Sequence, residues 1–61
     1  MTLLECMTLA TREGFKVSHD PEEGGFWITT PKRPRRPSQY LGAYKTERDA
    51  WVGAAHLATL G

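Results

Sequence analysis

The order of apolar and polar positions along the chain predicts five short elements. Residues 15–19, 26–30 and 39–44 are rich in β-forming side chains and alternate as half-buried strands do. Two segments have helical periodicity instead, one over residues 2–13 and one that begins after Thr46. The sequence therefore predicts an α+β fold (αβββα), in which a C-terminal helix packs a three-stranded antiparallel sheet and a short helix precedes it.

Residue types at the helix ends predict where each helix starts and stops. Thr2 and Glu5 have capping-box spacing, in which each side chain accepts a hydrogen bond from the backbone amide of the other residue. Gly14 suits the left-handed position after the first helix, and Phe15 is the apolar residue that folds back onto the end of that helix. Thr46 is a good N-cap for the second helix. The apolar stripes are Leu3, Met7 and Ala10, flanked by Leu4 and Cys6, and then Ala50, Trp51, Ala54, Leu57 and Ala58.

Alternation along the strands assigns two faces to the predicted sheet. The face expected under the second helix consists of Phe15, Val17, Phe26, Ile28, Leu41 and Ala43. The opposite face carries Lys16, Ser18, Trp27, Thr29, Tyr40 and Tyr44. A face that is simply solvated seldom carries a tryptophan and two tyrosines. Three interpretations are open: this face contacts a ligand, the first helix covers it, or it is a dimer interface.

Length and composition exclude several classes of protein. Sixty-one residues form one small domain, expected to span residues 1–61. One cysteine excludes an intrachain disulfide, and Cys6, His19 and His56 are too few for a Cys/His zinc site, so we expect no metal and no cofactor. The sequence has neither the roughly 20 apolar residues of a membrane helix nor the basic start of a signal peptide, so we expect a cytoplasmic protein without a membrane partner.

Positive charge is concentrated in the middle of the chain, although the formal net charge is only +1. Residues 26–45 contain no acid and five basic residues, namely Lys32, Arg33, Arg35, Arg36 and Lys45. Four of them lie in the proline-rich segment 31–37, which predicts a stiff, extended, exposed loop. Arginine forks pair with phosphate oxygens, so the loop predicts a site for a polyanion. The alternative is a hairpin loop that charge merely keeps hydrated.

No arrangement of residues predicts catalysis. His19 and Asp20 are adjacent, and neighbouring strand residues point to opposite faces, so they form a poor acid–base pair. His56 falls on the outer side of the second helix. Cys6 has no neighbouring cation to stabilise a thiolate and is expected to be a small core residue. We therefore expect a protein that is not an enzyme.

The segment from Tyr40 to Ala50 resembles part of two types of DNA-binding domain. Its pattern, Leu-Gly-x-aromatic-x-Thr-x-x-acid-Ala, is similar to the strand-to-helix segment of Apetala/ethylene-response domains and of the arm-binding domains of phage-type integrases. With Ala54 and Ala55 after it, and with Trp27 aligned to a tryptophan on the second strand, the resemblance covers about half the chain. It implies a sheet in the major groove with a helix behind it. It implies that the DNA-facing residues are Lys16, Trp27, Thr29, Arg33, Arg35, Arg36 and Tyr40. The sequence departs from both families in lacking their arginines on the first two strands.

Other likenesses point to different partners. Residues 22–27, with Pro31 and the pair Thr46 and Ala50, are similar to HicB-type antitoxins, whose module binds a toxin. The αβββα order is also that of double-stranded-RNA-binding domains and HicA-type toxins. Residues 47–49 replace the lysine pair of the former with Glu-Arg-Asp, and the glycine–serine–histidine segment of the latter is missing.

The sequence thus predicts a small nucleic-acid-binding protein, with DNA favoured over RNA, of the accessory or regulatory kind found in phages and plasmids. The candidate nucleic-acid-binding residues are Lys16, Trp27, Thr29, Lys32, Arg33, Arg35, Arg36, Tyr40 and Lys45. The first alternative is a protein–protein interaction module, either a homodimer or an antitoxin-like inhibitor, that binds no nucleic acid. The second is a domain that has no ligand beyond itself.

Overall fold

A helix, three strands and a second helix follow one another in a computed structural model that describes residues 1–60. Their bounds are α1 (Leu3–Arg12), β1 (Lys16–His19), β2 (Phe26–Thr29), β3 (Tyr40–Tyr44) and α2 (Glu47–Leu60). The strands form one antiparallel sheet in the order β1-β2-β3. The predicted αβββα arrangement is confirmed, with the predicted strand bounds and the first helix each within one residue of those observed.

Both predicted ends of α1 are confirmed. The Thr2 amide donates to Glu5 Oε1 at 3.0 Å and the Glu5 amide donates to Thr2 Oγ1 at 3.2 Å, which completes the capping box. The hydrogen bond that the Glu5 carboxylate accepts from the Thr2 amide lowers the pKa of the Glu5 carboxyl. At the other end, Gly14 has φ +90° and the Phe15 amide donates to the Ala10 carbonyl at 2.9 Å, as in a Schellman motif.

The start of α2 also follows its sequence signal. Thr46 Oγ1 accepts a hydrogen bond from the Asp49 amide at 3.1 Å, so Thr46 is the N-cap. The Trp51 indole N–H donates to Glu47 Oε1 at 3.4 Å, one helical turn back. The indole is therefore held against the first turn of α2.

The core is thin and consists mainly of small side chains. Ile28 is the largest side chain that is fully buried. The other buried residues are Cys6, Ala10, Ala50, Ala54 and Ala55, which confirms that Cys6 is a core residue. Alanines let backbones approach closely, so both helices sit near each other and near β2.

The two helices lie on the same side of the sheet. α1 packs chiefly against α2, and Ala10 of α1 belongs to the same buried cluster as Ile28 of β2 and Ala54 of α2. The opposite face of the sheet is therefore left open, so the interpretation in which the first helix covers it is wrong.

The expected burial of Leu3 on α1 is wrong. Leu3 is 37% exposed and Leu4 is 71% exposed, whereas Cys6 and Ala10 are buried. A helix that packs on one other helix buries a narrower stripe than a helix that lies on a sheet. The apolar stripe predicted for α2 did not include Ala55, because it assumed that only the sheet covers this helix. Ala55 is buried, which we attribute to the packing of α1 on α2.

A β-bulge in β3 reverses the predicted placement of Ala43 and Tyr44. Phe26 pairs with Tyr44 and Ile28 with Leu41, so three steps along β3 match two along β2. The extra residue moves Tyr44 to the helix side, where it packs on the core, and leaves Ala43 exposed. The Tyr44 ring then covers Gly53 so closely that a Cβ there would lie 2.9 Å from the hydroxyl oxygen.

The β1–β2 connection is a compact acidic turn. Asp20 Oδ1 accepts hydrogen bonds from the amides of Glu22 and Glu23 at 2.9 and 3.2 Å. Gly24 and Gly25 follow with φ of 76° and 84°. A Cβ on Gly25 would lie 2.8 Å from the Tyr44 carbonyl oxygen, whereas one on Gly24 would meet nothing within 4 Å.

These two glycines form a matched pair for a stability prediction. Both Gly24→Ala and Gly25→Ala place alanine in a left-handed conformation, which costs roughly 1–2 kcal/mol. Gly25→Ala is expected to lower the free energy of unfolding further, because the carbonyl that it would strike belongs to the backbone of β3. Urea denaturation of both variants measures the difference. Equal losses would show that the turn does not press on β3.

Candidate nucleic-acid interface

The open face of the sheet brings together five of the predicted outward-facing residues. Lys16 pairs with Thr29 and Thr29 with Tyr40, so these three side chains form one row across the sheet. Ser18 pairs with Trp27 in the next row on the same face. We call these five residues the outer face. Lys16, Ser18, Trp27 and Tyr40 are exposed, and Thr29 is half-buried.

Two aromatic rings occupy the centre of the outer face. The centroids of Trp27 and Tyr40 lie 5.7 Å apart and their planes are tilted by 51°. Trp27 is 36% exposed and Tyr40 69%. A Cβ on Gly42 would lie 3.6 Å from the Trp27 Cβ, which is an ordinary van der Waals contact. The pair offers apolar surface together with a phenolic hydroxyl and an indole N–H.

The basic loop has a defined shape, and its predicted extended conformation is wrong. Arg33 and Arg36 exchange backbone hydrogen bonds at 2.8 and 3.1 Å, so the chain reverses over Pro34 and Arg35. Proline suits the second position of such a turn because its φ is already set. The loop is exposed, as predicted, but it folds back on itself.

A second pair of hydrogen bonds closes the neck of the loop. The Thr30 amide donates to the Gln39 carbonyl at 2.9 Å, and the Gln39 amide donates to Thr30 Oγ1 at 2.8 Å. Arg33 Nη2 also reaches the Glu13 carbonyl at 3.5 Å, which connects the loop to the end of α1. The loop backbone is therefore held, while all four basic residues of the loop remain exposed.

The loop adjoins one end of the outer face. Thr29 is the last residue of β2 and Tyr40 the first of β3, so the row that contains Lys16 lies at the end from which the loop projects. Lys45 follows the far end of β3, about 15 Å away at the rise of a strand. The strand ends thus place the loop next to this row and Lys45 at the opposite end of the sheet, while Arg33 reaches the end of α1 on the helix side.

Charge is polarised along the strands. The basic loop lies at one end of the sheet, and the turn with Asp20, Glu22 and Glu23 lies at the other, where β1 ends and β2 begins. A polyanion on the outer face would be attracted to the loop end and repelled by the turn. Lys45 belongs to the basic stretch 26–45 in the sequence but lies at the acidic end of the sheet. It therefore adds less to the attraction of a polyanion than the loop cations do.

A groove that the sequence did not predict lies behind the loop, on the helix side of the sheet. It has a volume of about 1040 Å³ and is open to solvent. Its lining includes apolar side chains from β3 and α2 and arginines from the loop, namely Leu41, Leu57, Leu60, Arg33, Arg35 and Arg36. No sequence signal identifies it, because it exists only where the folded loop meets the last turns of α2.

His19 and Asp20 take part in local structure. The His19 ring packs on Phe26 with centroids 5.0 Å apart, and Asp20 caps the turn through Oδ1. Within residues 1–60, no group of three or more His, Cys, Asp or Glu side chains is arranged to hold a metal ion. Over the same residues, neither helix has the length and apolar character needed to cross a membrane.

This chain was compared with protein families, curated proteins and solved structures. No protein-family model, curated protein or solved structure matches this chain significantly. The resemblances to sheet-and-helix DNA-binding domains and to HicB-type antitoxins therefore stay predictions from the residues that carry them.

Proposed function

We propose that this chain is a small cytoplasmic protein that binds duplex DNA through the outer face and the basic loop, in an accessory or regulatory role. One observation carries the proposal. Both helices pack on the same side of the sheet, so the face with Trp27, Tyr40 and Lys16 stays open and adjoins the loop.

Electrostatics favours phosphate as the partner of the loop. Lys32, Arg33, Arg35 and Arg36 lie within five consecutive residues. Guanidinium forks match phosphate oxygens in geometry, and each phosphate that a cation neutralises releases condensed counterions. The turn at Pro34 holds the loop backbone before binding, which lowers the entropy that ordering the arginines costs.

The dimensions of the sheet suit the major groove. Three strands spaced about 4.8 Å apart span roughly 10 Å between the outer strand axes, and the major groove of B-DNA is about 12 Å wide. Lys16, Thr29 and Tyr40 then present an ammonium group and two hydroxyls to base edges, with Trp27 as an apolar contact. The tilt of 51° between the aromatic rings favours contact in a groove over the stacking of two successive single-stranded bases.

A DNA titration followed by NMR tests the proposal. A 16-base-pair duplex is added to the ¹⁵N-labelled chain at 50 and at 200 mM salt. We expect amide shifts at Lys16 and across residues 27–44, and a shift of the Trp27 indole N–H. The Trp51 indole N–H serves as an internal control, because it is hydrogen-bonded to Glu47 on α2. The shifts should fade steeply at the higher salt concentration.

Two outcomes would contradict the proposal. Absence of shifts at 50 mM salt would exclude DNA binding of this type, and shifts confined to α1 and α2 would place binding on the wrong side of the sheet. Sedimentation of the free chain examines the alternative of a homodimer. A dimer formed through the outer face would shift the same amides with protein concentration, with no DNA present.

A further inference from the structure

The groove behind the loop combines an apolar floor with a cationic rim. Phe15, Leu41 and Leu57 are half-buried and form the floor, and Leu60 extends it at the end of α2 with 71% of its surface exposed. The rim is formed by the arginines of the loop, and we call the whole the arginine groove. Glu13 lies at one end, where its carbonyl accepts the bond from Arg33.

The chemistry of this groove selects its ligand. Three guanidinium groups within four residues favour a ligand that carries several acidic groups. The floor requires apolar side chains between those acids, and an open groove admits a chain that runs through it. An extended or helical peptide in which Asp and Glu alternate with Leu and Phe meets all three requirements.

We infer that the arginine groove binds an acidic peptide segment of a partner protein, with the carboxylates of the peptide on Arg33, Arg35 and Arg36 and its apolar side chains on Leu41 and Leu57. The guanidinium groups that hold these carboxylates are the ones assigned above to phosphates. The peptide therefore competes with DNA for the loop. Competition rests on the proposed function, whereas peptide binding itself does not.

Two synthetic peptides provide the probe. The first has 14 residues, with Asp and Glu flanking Leu and Phe at every third or fourth position. The second is identical except that Asn and Gln replace every acid. Calorimetry and NMR shift mapping on the DNA-free chain should show that the acidic peptide binds with shifts at Phe15, residues 33–41 and residues 57–60, and that the neutral peptide binds at least about tenfold more weakly.

A matched pair of variants on α2 locates the site. Leu60→Glu places a carboxylate in the groove, where it should weaken binding of the acidic peptide by about tenfold or more through like-charge repulsion. Val52→Glu makes the same change of charge at a residue of the same helix that is 47% exposed and does not line the groove. It should leave binding within about twofold. Circular dichroism checks that both variants keep their helices.

The competition step is tested with a fluorescein-labelled duplex. The acidic peptide should release this DNA from the unmodified chain and should release it poorly from Leu60→Glu. No binding at millimolar peptide, equal binding of the neutral peptide, or shifts on the outer face would each overturn the groove assignment. Binding in the groove without release of bound DNA would overturn the competition. A chain that binds the peptide but no DNA would refute the proposed function and leave the groove assignment intact.

Discussion

Replacing Ile28 with alanine is expected to leave a large fraction of the chain unfolded at 25 °C. Ile28 is the largest fully buried side chain, and its buried neighbours are mostly alanines that have little volume with which to fill a cavity. Removal of such a side chain costs about 2–5 kcal/mol. A chain of 61 residues has a total stability of roughly 3–9 kcal/mol. The loss is therefore comparable to the whole free energy of unfolding.

Two further variants calibrate this result. Ile28→Val removes one methyl group and should cost about 0.5–1.5 kcal/mol. Leu4→Ala removes a larger apolar group from a side chain that is 71% exposed, and it should change stability by less than about 0.5 kcal/mol. Urea unfolding followed by far-ultraviolet circular dichroism measures all three. An Ile28→Ala midpoint equal to that of Leu4→Ala would show that the core does not centre on β2.

The elements of this fold are predictable because their signals are local. The capping box of Thr2 and Glu5, the left-handed Gly14 and the N-cap Thr46 each act within a few residues, and each is found where the sequence predicts it. Strand alternation likewise places Ile28 in the core and Trp27 on the opposite face, because neighbouring residues in a strand alternate between faces.

The errors occur where distant parts of the chain meet. The bulge that turns Tyr44 inward depends on the pairing of β3 with β2, and burial of Ala55 depends on α1. Leu3 is exposed because α1 packs on a helix. None of these features leaves a pattern in its own segment, since a helical stripe is the same whether a sheet or another helix covers it.

The same division applies to the candidate site. Alternation predicts five residues of the outer face correctly and misplaces Tyr44, and composition identifies the cations of the loop. The backbone pairing of Arg33 with Arg36 is not predictable from the prolines, which also fit an extended segment. Because that pairing directs the loop back toward α2, the groove that it forms with Leu57 and Leu60 is visible only in the fold.

Replacing Lys32, Arg33, Arg35 and Arg36 with serine is expected to reduce DNA affinity by about 10²–10³-fold at 100 mM salt. Each phosphate contact contributes about 0.9 to the slope of log K against log salt, so the slope should also fall by about 3 to 4. The prolines that shape the loop are retained. The substitutions remove the 3.5 Å hydrogen bond from Arg33 to the Glu13 carbonyl, and the expected change in stability is within about 0.5 kcal/mol.

Two double variants separate local binding from overall charge. R35S/R36S removes two cations from the loop, and R12S/R48S removes two exposed cations from the helices, so both lower the formal net charge by two. Fluorescence anisotropy at several salt concentrations should show a slope reduced by about 2 for the loop variant and a nearly unchanged slope for the helix variant. Equal reductions would mean that DNA responds only to net charge, and a larger reduction for R12S/R48S would place the phosphates on the helical side of the sheet.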